Sequence, residues 1–169
     1  MKVIYEDNHL IIVNKTSGEI VQGDKTGDKP LSEILKEYVK AKYEKPGEVF
    51  LGVIHRLDRP VSGIVMFART SKALARMNTL ISSREIKKTY WAIVKGVPAE
   101  PEGHLINYLW KNDTQNKSYI VPETRKGALR AELEYKLIAK SKDYSLLEVN
   151  LMTGRHHQIR VQLSAIGLT

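Results

Sequence analysis

Hydrophobic and polar positions along the chain alternate in two distinct rhythms. Val3-Ile4-Tyr5 and Leu10-Ile11-Ile12-Val13-Asn14 are short β-prone runs around the polar turn Glu6-Asp7-Asn8-His9, which predicts a hairpin. Gly18 to Pro30 is polar and glycine-rich and reads as a surface loop. Leu31, Ile34, Leu35, Tyr38 and Val39 then recur at helical spacing, predicting an amphipathic helix over 31–43, closed by Tyr43-Glu44-Lys45-Pro46-Gly47-Glu48. Two apolar runs, Val49 to Ile54 and Ile64 to Ala68, follow as strands. Thr70 or Ser71 can cap a second helix with Leu74, Met77, Leu80 and Ile81 as its buried stripe.

Tyr90 to Val97 reads as a strand. Pro98 to Gly127 reads as polar and irregular, apart from short apolar pieces at 106–110 and 118–121. From Leu129 to Ile138, Leu129, Ala131, Leu133, Tyr135 and Leu137 alternate with charged residues. Leu147, Val149 and Leu151 do the same beyond the turn at 141–144, so the two segments form an antiparallel hairpin with one buried face. Thr153-Gly154 opens a last helix with Ile159, Leu163 and Ile166 inward. The fold class is α+β, a mostly antiparallel sheet with flanking helices.

Composition narrows the chemistry. The 169 residues carry 27 Lys and Arg against 19 Asp and Glu, a net charge of +8, and no cysteine. This length suits one domain, 1–169. The basic surplus points to an anionic partner, nucleic acid being the commonest. Thiolate catalysis, disulfides and cysteine zinc sites are excluded. No stretch has the length of a membrane span and the first residues lack the apolar run of a signal peptide, so the expectation is a cytoplasmic protein without membrane contact.

The richest segment is His55-Arg56-Leu57-Asp58-Arg59-Pro60-Val61-Ser62-Gly63, charged and turn-rich between two core strands. An acid between two arginines in that position reads either as the brace of a turn or as an ionised carboxylate prepared for chemistry. This segment, with Val3 to Lys15, Lys87-Lys88-Thr89-Tyr90-Trp91-Ala92-Ile93-Val94-Lys95-Gly96 and Leu151-Met152-Thr153-Gly154-Arg155-His156-His157-Gln158-Ile159-Arg160-Val161, resembles the ordered motifs of the RluA family of pseudouridine synthases.

The resemblance implies a curved mixed sheet crossed by a central RNA-binding cleft, and isomerisation of uridine in ribosomal or transfer RNA on a flipped-out base. It implies Asp58 as the essential aspartate, Arg155 as its partner, Tyr90 stacked under the target base and Arg56 in the space that base leaves. His55, Arg59, Lys88 and Arg160 join Arg56 as candidate RNA contacts. No cofactor or metal is implied, RNA is the expected partner, and a monomer is expected. His156 and His157, if helical, diverge by roughly 100° and do not share one ion readily. Three departures from the family pattern stand out. Lys15 lacks the following proline, His156 replaces a small hydroxyl residue, and the chain ends where family members usually continue, so a truncated domain without a separate N-terminal RNA-binding domain is expected. The competing readings are a catalytically silent RNA-binding protein on the same fold and, from the histidines, a metal-dependent hydrolase.

Overall fold

A computed structural model describes residues 2–169. The chain folds into two compact units, one ending at Glu85 and one running from Ile86 to Thr169. In the first, β1 (Lys2–Glu6) and β2 (Leu10–Lys15) form the expected hairpin, and β3 (Gly52–Val53) and β4 (Gly63–Ala68) complete an antiparallel sheet in the order β1-β2-β4-β3. Asp7 fixes the hairpin turn, because its side chain accepts from the His9 and Leu10 N–H groups at 2.7 and 2.6 Å.

Helices pack on both faces of this sheet, one fully and one at its end, and the period-2 alternation decides which side chains meet them. Ile11, Val13, Val65 and Phe67 point to one side and pack with Leu31, Leu35 and Val39 of α1 (Leu31–Lys42). Leu10, Met66 and Ala68 point to the other side and meet Ala73, Leu74 and Met77 of α2 (Ser71–Ser82). The Thr70 hydroxyl caps α2 by accepting from Ala73 N–H at 3.1 Å. The stripe expected to be buried on α2 is only half-buried, and Ala73 alone is fully enclosed, since α2 covers little more than the short β3–β4 end of the sheet. The strand expected over 49–54 shrinks to two residues because β3 pairs only with Phe67 and Ala68 at the end of β4.

In the second unit, β5 (Lys88–Lys95), β6 (Glu102–Asn112), β7 (Lys117–Val121), β8 (Leu129–Lys140) and β9 (Tyr144–Leu151) form an antiparallel sheet in the order β5-β9-β8-β6-β7. Leu133, Tyr135, Leu147 and Val149 build its core with Val94, Leu163 and Leu168. The irregular stretch expected over 98–127 is instead largely β6 and β7. The inward row of β6 is Gly103, Leu105, Asn107 and Leu109, too mixed for an apolar rhythm. It is accommodated because the Tyr135 ring occupies the space of the missing Gly103 side chain and buried Gln162 donates to Asn107 Oδ1 at 2.8 Å. The last helix, α3 (Gln158–Ala165), starts five residues later than Thr153. Ile166 is exposed, and Leu168 is buried in its place.

Glu6 ties the first unit together. Its carboxylate is 8% exposed and accepts from Tyr38 Oη at 3.0 Å, Lys42 at 2.8 Å, Tyr43 Oη at 2.8 Å and Arg69 at 3.2 Å. Burial pushes this carboxyl up, but the hydrogen bonds from Lys42, Tyr43 and Tyr38 outweigh it and hold it below its ordinary value. A lowered folded-state value means stability present above the unfolded carboxylate range and lost as pH falls through the folded value. Glu6→Gln leaves the Arg69 guanidinium with one carboxylate fewer, and a loss of about 3 kcal/mol is expected in urea denaturation at pH 7. The variant should also lose less stability than the wild-type chain on acidification.

Candidate active site and RNA interface

In the first unit everything turns on the backbone of residues 58–61. Ile11, Val13 and Lys15 share the inward row of β2, so a lysine occupies a core position and is fully buried. Opposite it in the ladder stands Gly63, which has no side chain and adopts φ +136°, a region glycine enters without strain. The Lys15 ammonium donates to the carbonyls of Thr16 (3.2 Å), Asp58 (3.2 Å), Arg59 (3.0 Å) and Val61 (2.5 Å). Ser17 Oγ donates to the Pro60 carbonyl at 2.9 Å, and Gly18 N–H donates to Arg59 O at 2.9 Å. Each carbonyl from Asp58 to Val61 is therefore held by residues 15–18. Burial pushes the Lys15 ammonium below its ordinary value, while the charges of Glu19 and Asp58 oppose that shift.

Asp58 itself is exposed, as is Arg56, while Leu57 between them packs on the core. An acid enclosed between two core strands is thus not what forms. The apolar anchors turn the carboxylate outward on an immobilised backbone. Arg59 leans away from the turn, pairing with Asp28 at 2.7 Å and Asp24 at 3.7 Å and donating to Thr26 Oγ1 at 2.7 Å. Asp28, the larger influence, raises its already high value. His55 is half-buried, and its Nε2 accepts the Met66 N–H at 3.2 Å, extending the β3–β4 pairing through a side chain.

In the second unit the turn 152–157 carries Arg155. Thr153 Oγ1 accepts from Glu132 N–H at 2.8 Å and donates to Gln158 Oε1 at 2.8 Å. Buried Gln158 also accepts from Arg155 N–H at 2.9 Å and donates to Glu132 O at 3.0 Å. Arg155 Nε in turn donates to the Arg130 carbonyl at 2.9 Å, so β8 sets the direction of the guanidinium. His157 stands in the left-handed region at φ 54° as the residue before α3, and its ring stacks on that of His156 with centroids 3.7 Å apart. The helical divergence expected of these two histidines is therefore replaced by a stack, because α3 begins only after them.

Lys88 and half-buried Tyr90 share one face of β5. Lys88 lies close enough to Arg155 that burial, and after it the Arg155 charge, pushes its ammonium below the ordinary value. A Cβ on Gly154 would stand 3.5 Å from Lys88 Nζ. The second unit thus gathers Lys88 and Arg155 beside Tyr90, two cations that favour an anion between them. Arg160 lies apart from this group, exposed on α3.

Lys15, Gln158 and Thr153 escaped the sequence reading as functional positions. Lys15 had a detectable signal, a cation in the inward register of an otherwise apolar strand. Replacing it with Met keeps most of the length and removes the three N–H groups that the carbonyls of Thr16, Asp58, Arg59 and Val61 share. Lys15→Met is expected to destabilise the chain by about 2–4 kcal/mol and to speed amide hydrogen exchange in a 57–63 peptide. A peptide from β8 serves as the unaffected reference.

The model of the RNA pseudouridylate synthase family matches residues 9–165. The chain is 32% identical over 169 residues to the ribosomal large subunit pseudouridine synthase D of Zymomonas mobilis, covering 99% of this chain and 53% of that protein. It is 31% identical over 166 residues to the ribosomal large subunit pseudouridine synthase C of Buchnera aphidicola, covering 98% and 51%. An uncharacterized RNA pseudouridine synthase of Zymomonas mobilis is 32% identical over 167 residues, covering 99% of this chain and 73% of that one. The chain spans about half the length of the synthase D and C relatives. In fold it is similar to human RNA pseudouridylate synthase domain containing 4, with a TM-score of 0.82 at 24% identity over 99% of this chain and 65% of that structure.

Proposed function

The chain belongs to the RNA pseudouridylate synthase family, and from that premise we propose that it isomerises uridines of ribosomal or transfer RNA to pseudouridine. The reading gives the chemistry to Asp58 of the first unit and to Tyr90 and Arg155 of the second. The observation that carries the reading is the family match running through Asp58, on a turn whose four carbonyls are held by residues 15–18.

The reaction breaks the N-glycosidic bond, turns the freed base and rejoins it to the ribose through carbon 5, which releases its hydrogen as a proton while the freed N1 takes up a proton from solvent. Asp58 is the essential carboxylate. It is already exposed to an incoming nucleotide, and its fixed backbone removes the cost of ordering it during the reaction. Arg155 and Lys88 supply positive charge for the anionic groups that the reaction brings to them. Tyr90 supports the flipped base from below, and Arg56, exposed on the Asp58 segment, fills the place that the base vacates. His55 and Arg59 act mainly on the shape of that segment, through Met66 and through Asp24 and Asp28. The names of the synthase C and D relatives favour large-subunit ribosomal RNA as the substrate class. Among the described residues no helix is long and apolar enough to cross a membrane.

Tritium release from RNA transcripts labelled at uridine carbon 5 tests the reading. The chain is expected to release label from ribosomal or transfer transcripts. Asp58→Asn is expected to release none above background while binding the same RNA within about twofold, because the exposed carboxylate contributes little to ground-state affinity. Equal release by both proteins would remove Asp58 from the chemistry. Salt-sensitive binding without release by the wild-type chain would favour the silent binder.

A further inference from the structure

On the outer face of α3, away from buried Gln158, Gln162 and Leu163, lies an open groove of about 350 Å³ against the edge strand β7. Ile120 of β7 and Val161 and Ala165 of α3 give it an apolar floor, while Ser118, Ser164 and Arg160 supply polar groups. Arg160 enters no ion pair and no side-chain hydrogen bond among the described residues, whereas the neighbouring Arg155 and Arg130 are both engaged. One edge of the groove is tied to the Arg155 turn. Ser118 Oγ lies 2.8 Å from His156 Nδ1, and His156 directly follows Arg155 and stacks on His157.

We infer that this groove is a subsite for one nucleotide flanking the target, with its base on the apolar floor and its phosphate on Arg160. Several features select that occupant. An apolar floor beside hydroxyls and a single uncompensated guanidinium matches the flat base, the ribose hydroxyls and the phosphate of one nucleotide. The volume lies at the small end of ligand sites, as a single unit of a longer chain requires. The second unit carries 13 Lys and Arg against 8 Asp and Glu, so an anionic strand approaches it favourably. The Ser118–His156 contact makes occupancy of the groove felt at the Arg155 turn. The residues on its two sides then contribute to the choice of uridine through the nucleotide next to it.

The inference rests on the RNA-modifying reading above, and its test separates the two. Ribosomal and transfer transcripts containing 4-thiouridine are bound and irradiated, and affinities are measured at two salt concentrations. Arg160→Gln is expected to weaken binding about 5- to 10-fold and to reduce the salt slope by about one. Ser164→Phe, which fills the groove without changing charge, is expected to weaken binding about 5-fold with the slope unchanged. Lys142→Gln, in the β8–β9 turn, removes the same charge elsewhere and should change affinity less than twofold. Cross-links should map to peptides covering 117–121 or 158–165. A wild-type chain that binds neither transcript at low salt would overturn the RNA reading and this subsite with it. Binding by wild type would overturn the subsite alone if Arg160→Gln matched Lys142→Gln, if Ser164→Phe bound normally, or if cross-links avoided both peptides.

Discussion

A single ammonium inside the first unit sets the constraint on which its candidate site depends. Lys15 stands where the β2 alternation demands an apolar residue, and taking its charge out of water is expensive unless its donors are met. They are met by main-chain carbonyls of Thr16, Asp58, Arg59 and Val61. The arrangement is reciprocal. Carbonyls of an irregular turn need donors that no neighbouring strand supplies, and a buried cation needs acceptors. Neither is stable alone, so the turn has essentially one backbone conformation compatible with the folded sheet. Gly63 completes the arrangement, because a side chain across the ladder from Lys15 would have to be built at φ +136°.

The second unit solves a similar problem with neutral groups. The turn before α3 leaves the β8–β9 ladder, with the Met152 and Thr153 N–H groups donating to Glu132 O, and the Thr153 and Gln158 side chains reinforce it by bonding to both backbone groups of Glu132. Gln158 also receives the Arg155 N–H, so the amide that anchors the turn fixes the residue that carries the guanidinium. Charge enters at half-buried Lys88 and exposed Arg155, which lie near each other. Their mutual repulsion opposes folding modestly and is relieved by an anion. A fold that tolerates such repulsion beside an aromatic side chain is organised for a negatively charged ligand, which is what the proposed RNA substrate supplies.

Much of this was legible in the sequence wherever one face of an element is apolar. The β1–β2 hairpin, α1, and the β8–β9 pair follow from alternation or helical spacing, because burial selects those residues strongly. β6 was hidden because its inward row contains Gly103 and Asn107. Those residues fit through Tyr135 and Gln162, partners distant in sequence that no local window reveals. The start of α3 was misplaced for a related reason. Thr153 and Gly154 carry the marks of a helix start, yet the Thr153 hydroxyl is spent on β8 and Gln158. Asp58, Tyr90 and Arg155 were legible as a set only through the resemblance to a family, since each alone is an ordinary acid, aromatic or cation.

The exposure of Asp58 also changes how its chemistry should be understood. A carboxylate enclosed in the core would need its environment to keep it ionised, and burial would work against it. Asp58 instead faces outward, where it is exposed. The protein invests in the backbone beneath it. On the proposed reading, the water-free surroundings needed for the sugar chemistry arrive with the nucleotide, as base and ribose displace solvent around a carboxylate that has nowhere else to go. Preorganisation then lies in the turn and desolvation in the substrate. Lys15, rather than Arg56 or Arg59, is the residue bonded to the carbonyls of that turn.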